Sequence, residues 1–407
     1  MAVSSAALPG VMGHHNDCDG IVKKTYFDGT HRVRSPAETF DIVAPKFQKY
    51  RLTRLADVTG LDILDIPVVM AVRPLATTLT VSQGKGIDKA SARVSAAMES
   101  IELWHAERAV PQAVLTDTPA GELDLPYAVR DLQQHAGSLL TDEALLDWIE
   151  GVEFATGRTV LVPREAVQMG RDISRDWRVW MLTASSNGLA SGNTLAEATT
   201  HAIYEIIERD ATSRLGRVGV HERTYIDPET VDDPHCRELL RRLHAADAWV
   251  EIVSAPNPFG VPCYVCYLWC PFFGGAMVVG SGAHSSSAVA LSRAITEAAQ
   301  SRVTFIVGTR DDISPLVYRM PNGRYRAPSL RASLISWPDV ARCQDGLETD
   351  EAELQWATAR LECGSRVSPI VVDLSTEPEF AVVRVIAPKT EYTARHEIPR
   401  PECGTEA

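Results

Sequence analysis

Three segments of the sequence each combine a glycine- and serine-rich stretch with a long, mostly apolar helical pattern that carries a polar stripe. The middle segment covers residues 192–214, and its polar residues are His201, Glu205, Glu208 and Arg209. At about 100° per residue these side chains share one narrow face of a helix. Because a largely buried helix that carries two carboxylates needs cations beside it, this feature constrains the fold more than any other.

The same pattern occurs once before and once after the middle segment. Each flanking copy repeats the spacing i, i+4, i+7. In the earlier copy, behind the two glycines that flank Lys85, the stripe is Ser95, Glu99 and Glu102. In the later copy, behind Gly280 and Gly282, it is Arg293, Glu297 and Gln300, with Arg302 following. We expect the three segments to form one constellation.

Composition restricts the classes of protein that fit. The 407 residues are 45% apolar, which is enough for a substantial core in one large domain or two ordinary ones. With 53 acidic against 40 basic residues, the net charge of −13 disfavours a sequence-independent nucleic-acid binder. Prolines and glycines interrupt the longest uncharged run, 252–283, and residues 1–20 lack the pattern of a secretory signal. We therefore expect a soluble, cytoplasmic protein that does not enter a membrane.

Local signals predict a mixed α/β (α+β) fold, because predicted helices and strands alternate along the chain. Capping boxes at Ser35 and Thr194 predict helix starts, and strands are expected within 54–80, 151–163, 250–279 and 369–388. The stretch 131–150 is interpreted as one or two helices. For domains, we expect a lead-in with a helix over 1–60, a main domain over 61–390 and an extended tail over 391–407.

Cys263 and Cys266 form a CxxC pair inside a strand-like stretch. Residues three apart on a strand point to opposite faces, and no second CxxC or CxxH supplies further ligands. We interpret the pair as buried free thiols.

The glutamates of the three stripes limit the chemistry that the constellation can perform. Two carboxylates about 4 Å apart repel by roughly 4 kcal/mol at an effective dielectric of 20. Mg²⁺ relieves such repulsion and prefers oxygen ligands, while Lys85, Arg209, Arg293, Arg302 and the glycine loops suit polyphosphate. Together, these residues predict an ATP–Mg²⁺ site. The alternative is that internal Glu–Arg ion pairs hold the three helices together and that no ligand binds.

The three stripes also carry a resemblance to a known family. SxxxExxE at 95–102, ExxER at 205–209 and RxxxExxQ at 293–300 resemble the nucleotide-binding motifs of the YcaO family. The stretches SQGKG and LADVTGLD are similar to those of the branch associated with TfuA proteins. For the fold, this resemblance implies mixed sheets with packed helices and a nucleotide site between helices. For the function, it implies ATP-dependent activation of a backbone amide in a ribosomally made precursor peptide. With a TfuA-like partner that delivers sulfide, the product would be a thioamide.

The resemblance also implies a role for each residue of the stripes. Glu99, Glu102, Glu205 and Glu208 would be metal ligands, with Glu205 and Arg293 catalytic. The nucleotide would be bound by Lys85, Ser95, His201, Arg209, Arg293, Glu297, Gln300 and Arg302. His201 departs from the family, which often has Asn or Gln there.

A second departure concerns the product. Azoline-forming members commonly end in Pro-x-Pro-x-Pro, whereas this sequence has only IPRP at 398–401. Thioamide formation is therefore preferred to azoline or amidine formation. A non-catalytic ATP-binding accessory factor and a carboxylate-bridged metal hydrolase are the alternatives from other classes, and a homodimer is left open.

Overall fold

The computed structural model describes residues 23–27, 29–134, 138–170, 181–182, 185–270, 277–310, 312–313 and 333–392. Its helices are α1 (Pro36–Val43), α2 (Lys89–Arg108), α3 (Leu195–Leu215), α4 (Pro234–Ala245), α5 (Ser287–Val307), α6 (Trp337–Val340) and α7 (Asp350–Ser365). Its strands are β1 (Thr25–Phe27), β2 (Thr30–Arg32), β3 (Arg54–Asp57), β4 (Val68–Val72), β5 (Val81–Lys85), β6 (Leu115–Pro119), β7 (Leu145–Glu153), β8 (Thr159–Pro163), β9 (Leu189–Gly192), β10 (Thr224–Ile226), β11 (Trp249–Ser254), β12 (Cys263–Trp269), β13 (Val278–Ala283), β14 (Ile370–Asp373) and β15 (Ala381–Ile386). The mixed α/β class is as predicted.

These described residues divide into two units. The first unit comprises Lys23 and the described parts of 105–206 and 349–390. The second unit comprises the described parts of 24–104, 207–348 and 391–392. Since the divisions fall inside α2 and α3, each of these helices contributes residues to both units.

The second unit contains two larger antiparallel sheets and the hairpin β1–β2. One sheet has the order β10-β11-β12-β13, and the other has the order β3-β4-β5. Strand β12 is buried along its whole length, which explains its run of apolar residues without polar alternation. Cys263 and Cys266 lie in it as buried free thiols.

Helix α5 belongs to the cores of both sheets. Its residues Leu291 and Ile295 pack with Leu268 of β12 in the core of the four-stranded sheet. One turn beyond the stripe, Val303 packs with Met70 of β4 in the core of the three-stranded sheet. The helix ends at Gly308, whose φ of 64° lies in the left-handed region that a glycine C-cap adopts readily. Its position between two sheets explains why α5 is apolar around most of its circumference.

The first unit is built on one antiparallel sheet, ordered β6-β7-β14-β15-β9, with β8 paired to β7. The hairpin β7–β8 turns at Gly157, which has a φ of 67°, as the Thr156-Gly157 signal predicts. The interpretation of 131–150 as one or two helices is wrong: after a 3₁₀ turn that ends at Asp131, the described residues of this stretch contain no helix, and 145–153 forms β7. Strands β6, β8 and β14 all pair with this segment, and these hydrogen bonds decide its conformation.

Both predicted capping boxes mark helix starts. Ser35 and Glu38 exchange the two reciprocal hydrogen bonds of a capping box at α1. At α3, Thr194 Oγ1 accepts the Glu197 N–H at 2.9 Å, but the Glu197 carboxylate accepts from Asn193 instead of Thr194. In the described part of the chain, no helix is both long enough and apolar enough to cross a membrane. Residues 1–22 of the predicted lead-in and the IPRP motif lie outside the described residues.

Candidate functional site

Each predicted glycine-rich stretch is a β-strand that packs closely against the helix that follows it. A Cβ on Gly84 of β5 would overlap the Ala96 backbone nitrogen of α2, and one on Gly280 of β13 would overlap that of Ala298 in α5. The prediction that these stretches are loops that approach an anion is therefore wrong at Gly84 and Gly280. Their missing side chains allow strand and helix backbones to touch, so the strand ends lie beside the helical stripes.

A hydrogen-bonded cluster links these strands to two of the stripes within the second unit. Lys85 Nζ lies 2.5 Å from Glu297 Oε2. Ser281 Oγ donates to Glu208 Oε1 at 2.6 Å and lies 3.5 Å from Glu297 Oε1. Residues from β5, α3, β13 and α5 therefore meet here, although Lys85 and Glu297 are 212 positions apart in sequence.

Glu99 of α2 belongs to the same group of charges. Its carboxylate accepts the backbone N–H of Gln83, and burial raises its pKa. The charges of Arg310 and Lys85 act in the opposite direction, whereas the Glu297 carboxylate raises the pKa further. Burial also raises the pKa of Glu208, and the charge of Glu297 is the second cause. The carboxylates of α2, α3 and α5 thus lie close enough to destabilise one another's charged forms.

The other stripe residues of the second unit extend this cluster along the helices. Glu102 lies one turn after Glu99 on α2, and Ser95 lies one turn before it. On α5, Gln300 Nε2 donates to the backbone oxygen of Gln83 at 3.0 Å, and Arg293 lies one turn before Glu297. The stripe side chains are half-buried, although the rest of each helix is mostly buried. Partial exposure on helices of this kind is expected for residues that contact a ligand.

His201 and Glu205 lie on the part of α3 that belongs to the first unit. Both are half-buried, and Glu205 lies one turn before Glu208 on the same helix. The charge of Glu205 acts on Arg384, a buried arginine of β15. Arg384 was not predicted from the sequence, because a single arginine in VVRVIA resembles a charge on an edge strand.

Arg209, the last residue of the middle motif, contacts the segment that follows β15. Its guanidinium lies 5.3 Å from the ring centre of Tyr392, and its Nη1 donates to the Tyr392 hydroxyl at 3.2 Å. The preceding residue, Glu391, donates its N–H to Asp210 at 2.7 Å and pairs with Arg214 at 3.1 Å. Residues 391–392 are thereby held along the C-terminal half of α3.

Arg302 is placed differently from the other predicted nucleotide contacts. Its Nε lies 2.9 and 3.0 Å from the two carboxylate oxygens of Asp62, and both side chains are almost fully buried. The guanidinium thus serves an internal ion pair, and we do not include Arg302 among the ligand-binding residues. Asp62 belongs to the LADVTGLD stretch, so this pair joins that stretch to α5.

Within the described residues, no group of three or more His, Cys, Asp or Glu side chains is already arranged to hold a metal ion, so the donor set fits a magnesium ion only together with a polyphosphate. Closely placed carboxylates of raised pKa favour a multivalent cation, and Mg²⁺ takes carboxylate oxygens together with phosphate and water. Lys85 and Arg310 provide cationic groups beside the same carboxylates. Arg310 was not predicted from the sequence, since it follows the end of the third helical pattern.

Comparison with known proteins gives a consistent result. The model of one protein family, described as YcaO cyclodehydratase, ATP- and Mg²⁺-binding, matches residues 83–391. An uncharacterised protein of Mycobacterium tuberculosis is 36% identical in an alignment of 371 positions that covers 88% of this chain and 82% of the relative. A Rhizobium leguminosarum bv. trifolii protein, described as uncharacterised and in the tfuA 3' region, is 35% identical in an alignment of 309 positions that covers 71% of this chain and 70% of the relative.

Among solved structures, the fold is similar to that of YcaO from Methanopyrus kandleri, which was solved with AMPPCP and Mg²⁺. The TM-score is 0.69 at 24% identity, and the match covers 90% of this chain and 94% of the other. At that identity the likeness concerns the fold, whereas the family model covers most of the chain and includes all three stripes. The chain therefore belongs to the YcaO family, and with it to the ATP- and Mg²⁺-dependent peptide-modifying enzymes.

Proposed function

We propose that the protein uses ATP and Mg²⁺ to activate a backbone amide of a ribosomally made precursor peptide and converts it to a thioamide with a TfuA-type partner. The observation that carries this proposal is the cluster of Glu99, Glu208 and Glu297, which three distant segments bring together beside Lys85. Such a cluster is costly without a ligand, because its carboxylates repel one another in a partly desolvated environment.

In this proposal the stripe residues divide between metal and nucleotide. Glu99, Glu102, Glu205 and Glu208 are the metal ligands. Lys85, Ser95, His201, Arg209, Arg293, Glu297 and Gln300 contact the nucleotide. Glu205 and Arg293 would also act in catalysis: Glu205 would hold the cation, and Arg293 would stabilise charge on the transferring phosphoryl group. Bound ATP and Mg²⁺ supply the phosphoryl group and the cation that neutralises it.

The overall reaction balances without an oxidant or reductant. The amide oxygen takes the γ-phosphoryl group, and the bond from that phosphorus to ADP breaks. Hydrosulfide adds to the amide carbon, the carbon–oxygen bond breaks, and phosphate leaves with the former amide oxygen and takes up the hydrosulfide proton. The resident pairs Lys85–Glu297 and Ser281–Glu208 keep two carboxylates in fixed positions before the ligand arrives. Such preorganisation reduces the rearrangement that phosphoryl transfer requires.

The relative from the tfuA region supports the choice of sulfide as nucleophile. The description of the family model, which names a cyclodehydratase, favours a second candidate in which a Cys, Ser or Thr side chain closes an azoline ring. The two candidates share ATP, Mg²⁺ and amide activation. They differ only in the group that adds to the amide carbon.

Intact-mass measurement separates these candidates. A candidate precursor peptide is incubated with the protein, ATP, Mg²⁺ and sulfide, with and without a TfuA-type protein. Conversion to a thioamide increases the mass of the peptide by the difference between sulfur and oxygen, whereas closure of an azoline ring decreases it by one water. Unchanged peptide, with ATP bound but no phosphate release that depends on the peptide, would contradict amide activation and favour a non-catalytic accessory factor. Turnover without ATP would instead support a metal hydrolase.

Variants test the residues that we assign to the site. We expect Glu99→Ala and Glu205→Ala to abolish peptide-dependent phosphate release. Glu351→Ala is the control, because Glu351 is an exposed glutamate of α7 and has no role in the proposal. Full activity together with unchanged nucleotide binding in both site variants would refute the assignment.

A further inference from the structure

Arg384 is a buried cation in the first unit that the proposed reaction does not use. Its side chain is only 1% exposed. Its Nη1 donates to the carbonyls of Ser185 and Asn187 at 2.6 and 2.8 Å, and its Nη2 donates to that of Val167 at 3.3 Å. Within the described ranges, no carboxylate forms an ion pair with it, and its Nε–H has no hydrogen-bond partner. Backbone carbonyls satisfy most of the donors but leave the positive charge uncompensated.

The location of Arg384 connects it to Glu205. The residue after it, Val385, donates its N–H to Gly188 at 2.8 Å, in the turn whose carbonyls bind the guanidinium. Gly188 has a φ of 75°, and a Cβ there would lie 3.1 Å from the Ile206 side chain of α3. The turn is therefore packed between β15 and the helix position next to Glu205.

The electrostatics agree with this geometry. Burial lowers the pKa of Arg384 to about 10, and the charge of Glu205 is the one opposing cause. Glu205 thus acts on Arg384 through space, without an ion pair between them. A direct pair would place the guanidinium on the oxygens that a metal ion requires, whereas a cation behind the turn leaves the geometry of those oxygens unchanged.

We propose that Arg384 is a positioning residue that acts through Glu205, as a fixed positive charge beside a carboxylate that the proposed function assigns to the metal. This inference rests on the proposed function. A fixed cation near this carboxylate opposes the binding of bare divalent metal and favours the binding of a nucleotide, whose phosphates are strongly negative. Removing the charge should therefore change the two affinities in opposite directions, which structural damage alone would not do.

The experiment measures two affinities in the intact protein, that of Mn²⁺ alone by electron paramagnetic resonance and that of AMPPCP with Mg²⁺ by calorimetry. For Arg384→Met we expect Mn²⁺ to bind several-fold more tightly and AMPPCP several-fold more weakly. Arg384→Lys, which keeps the charge, should remain near the wild type in both measurements. Arg384→Gln keeps hydrogen-bond donors without the charge, and it replaces the methionine variant if that variant does not fold.

A matched control is available in the second unit. Arg223 also binds backbone carbonyls, those of Val218 at 3.2 Å and Leu215 at 3.3 Å, and it donates to the Tyr267 hydroxyl. Arg223→Met should lower thermal stability and leave both affinities unchanged. The inference is overturned if the neutral Arg384 variants bind both Mn²⁺ and AMPPCP more weakly than the wild type. It is also overturned if Arg384→Lys changes the two affinities as much as Arg384→Met does. In either case Arg384 only stabilises the turn. If the wild type binds neither ligand, the proposed function itself fails.

Discussion

Replacement of Lys85 by methionine tests whether the carboxylate cluster depends on its resident cation. Lys85 Nζ and Glu297 Oε2 are 2.5 Å apart, so their attraction is about 7 kcal/mol at an effective dielectric of 20. Desolvation and side-chain ordering offset most of this attraction, and the side chains are 24% and 34% exposed. We therefore expect a net loss of about 1–2 kcal/mol. A loss of that size lowers the midpoint of thermal unfolding by roughly 2–8 °C.

Magnesium should distinguish this loss from simple damage. Without Lys85, the carboxylates of Glu99, Glu208 and Glu297 repel one another more strongly, so bare Mg²⁺ should stabilise Lys85→Met more than the wild type. The assay is thermal unfolding with and without Mg²⁺. Lys89→Met is the matched control, because the Lys89–Asp57 pair has a similar length of 2.8 Å but is 70% and 39% exposed. Such a surface pair contributes less than about 1 kcal/mol.

The reasoning fails under either of two results. Equal decreases in the midpoint of thermal unfolding for Lys85→Met and Lys89→Met would show that the carboxylate cluster does not need a cation more than a surface pair does. Equal stabilisation of both variants by Mg²⁺ would show that the metal binds elsewhere.

Three further outcomes are expected. Gly84→Ala should push β5 away from α2, at a cost of about 1–3 kcal/mol in the free energy of unfolding, and should weaken nucleotide binding measured by calorimetry. Arg302→Met leaves the buried carboxylate of Asp62 without its partner and should cost about 3–5 kcal/mol in chemical denaturation. The hydrogen bond from Lys89 lowers the pKa of Asp57 to about 2. The stabilisation from Asp57 is therefore complete above an unfolded pKa of about 4 and is lost as the pH falls through about 2. Asp57→Asn should flatten that part of the stability profile, and an unchanged profile would contradict this assignment.

The helical stripes could be predicted from the sequence because they depend on local periodicity. Glu99, Glu208 and Glu297 each lie on the half-exposed face that the spacing indicates, and the structure brings these three together. The same rule could have excluded Arg302. It lies five residues after Glu297, and at about 100° per residue it points about 140° away from the stripe.

Features that depend on tertiary pairing could not be predicted in this way. The glycines of β5 and β13 resemble turn residues by composition, since nothing local shows that a helix backbone lies against them. The segment that forms β7 has apolar spacing that suits a helix or a strand, and its three partner strands decide between them. Arg384 takes its role from a turn about two hundred positions earlier in the chain, which its own neighbours in the sequence do not reveal.

The place of α5 in the cores of two sheets has a consequence for folding of the enzyme during its synthesis on the ribosome. Lys85 emerges long before Glu297, and the three-stranded sheet lacks its Val303 partner until α5 has been made. A nascent chain that ends before α5 cannot form the pair between Lys85 and Glu297. We therefore expect nucleotide binding only after α5 has been made, and a fragment that ends before α5 should recover binding only when the missing segment is supplied in trans.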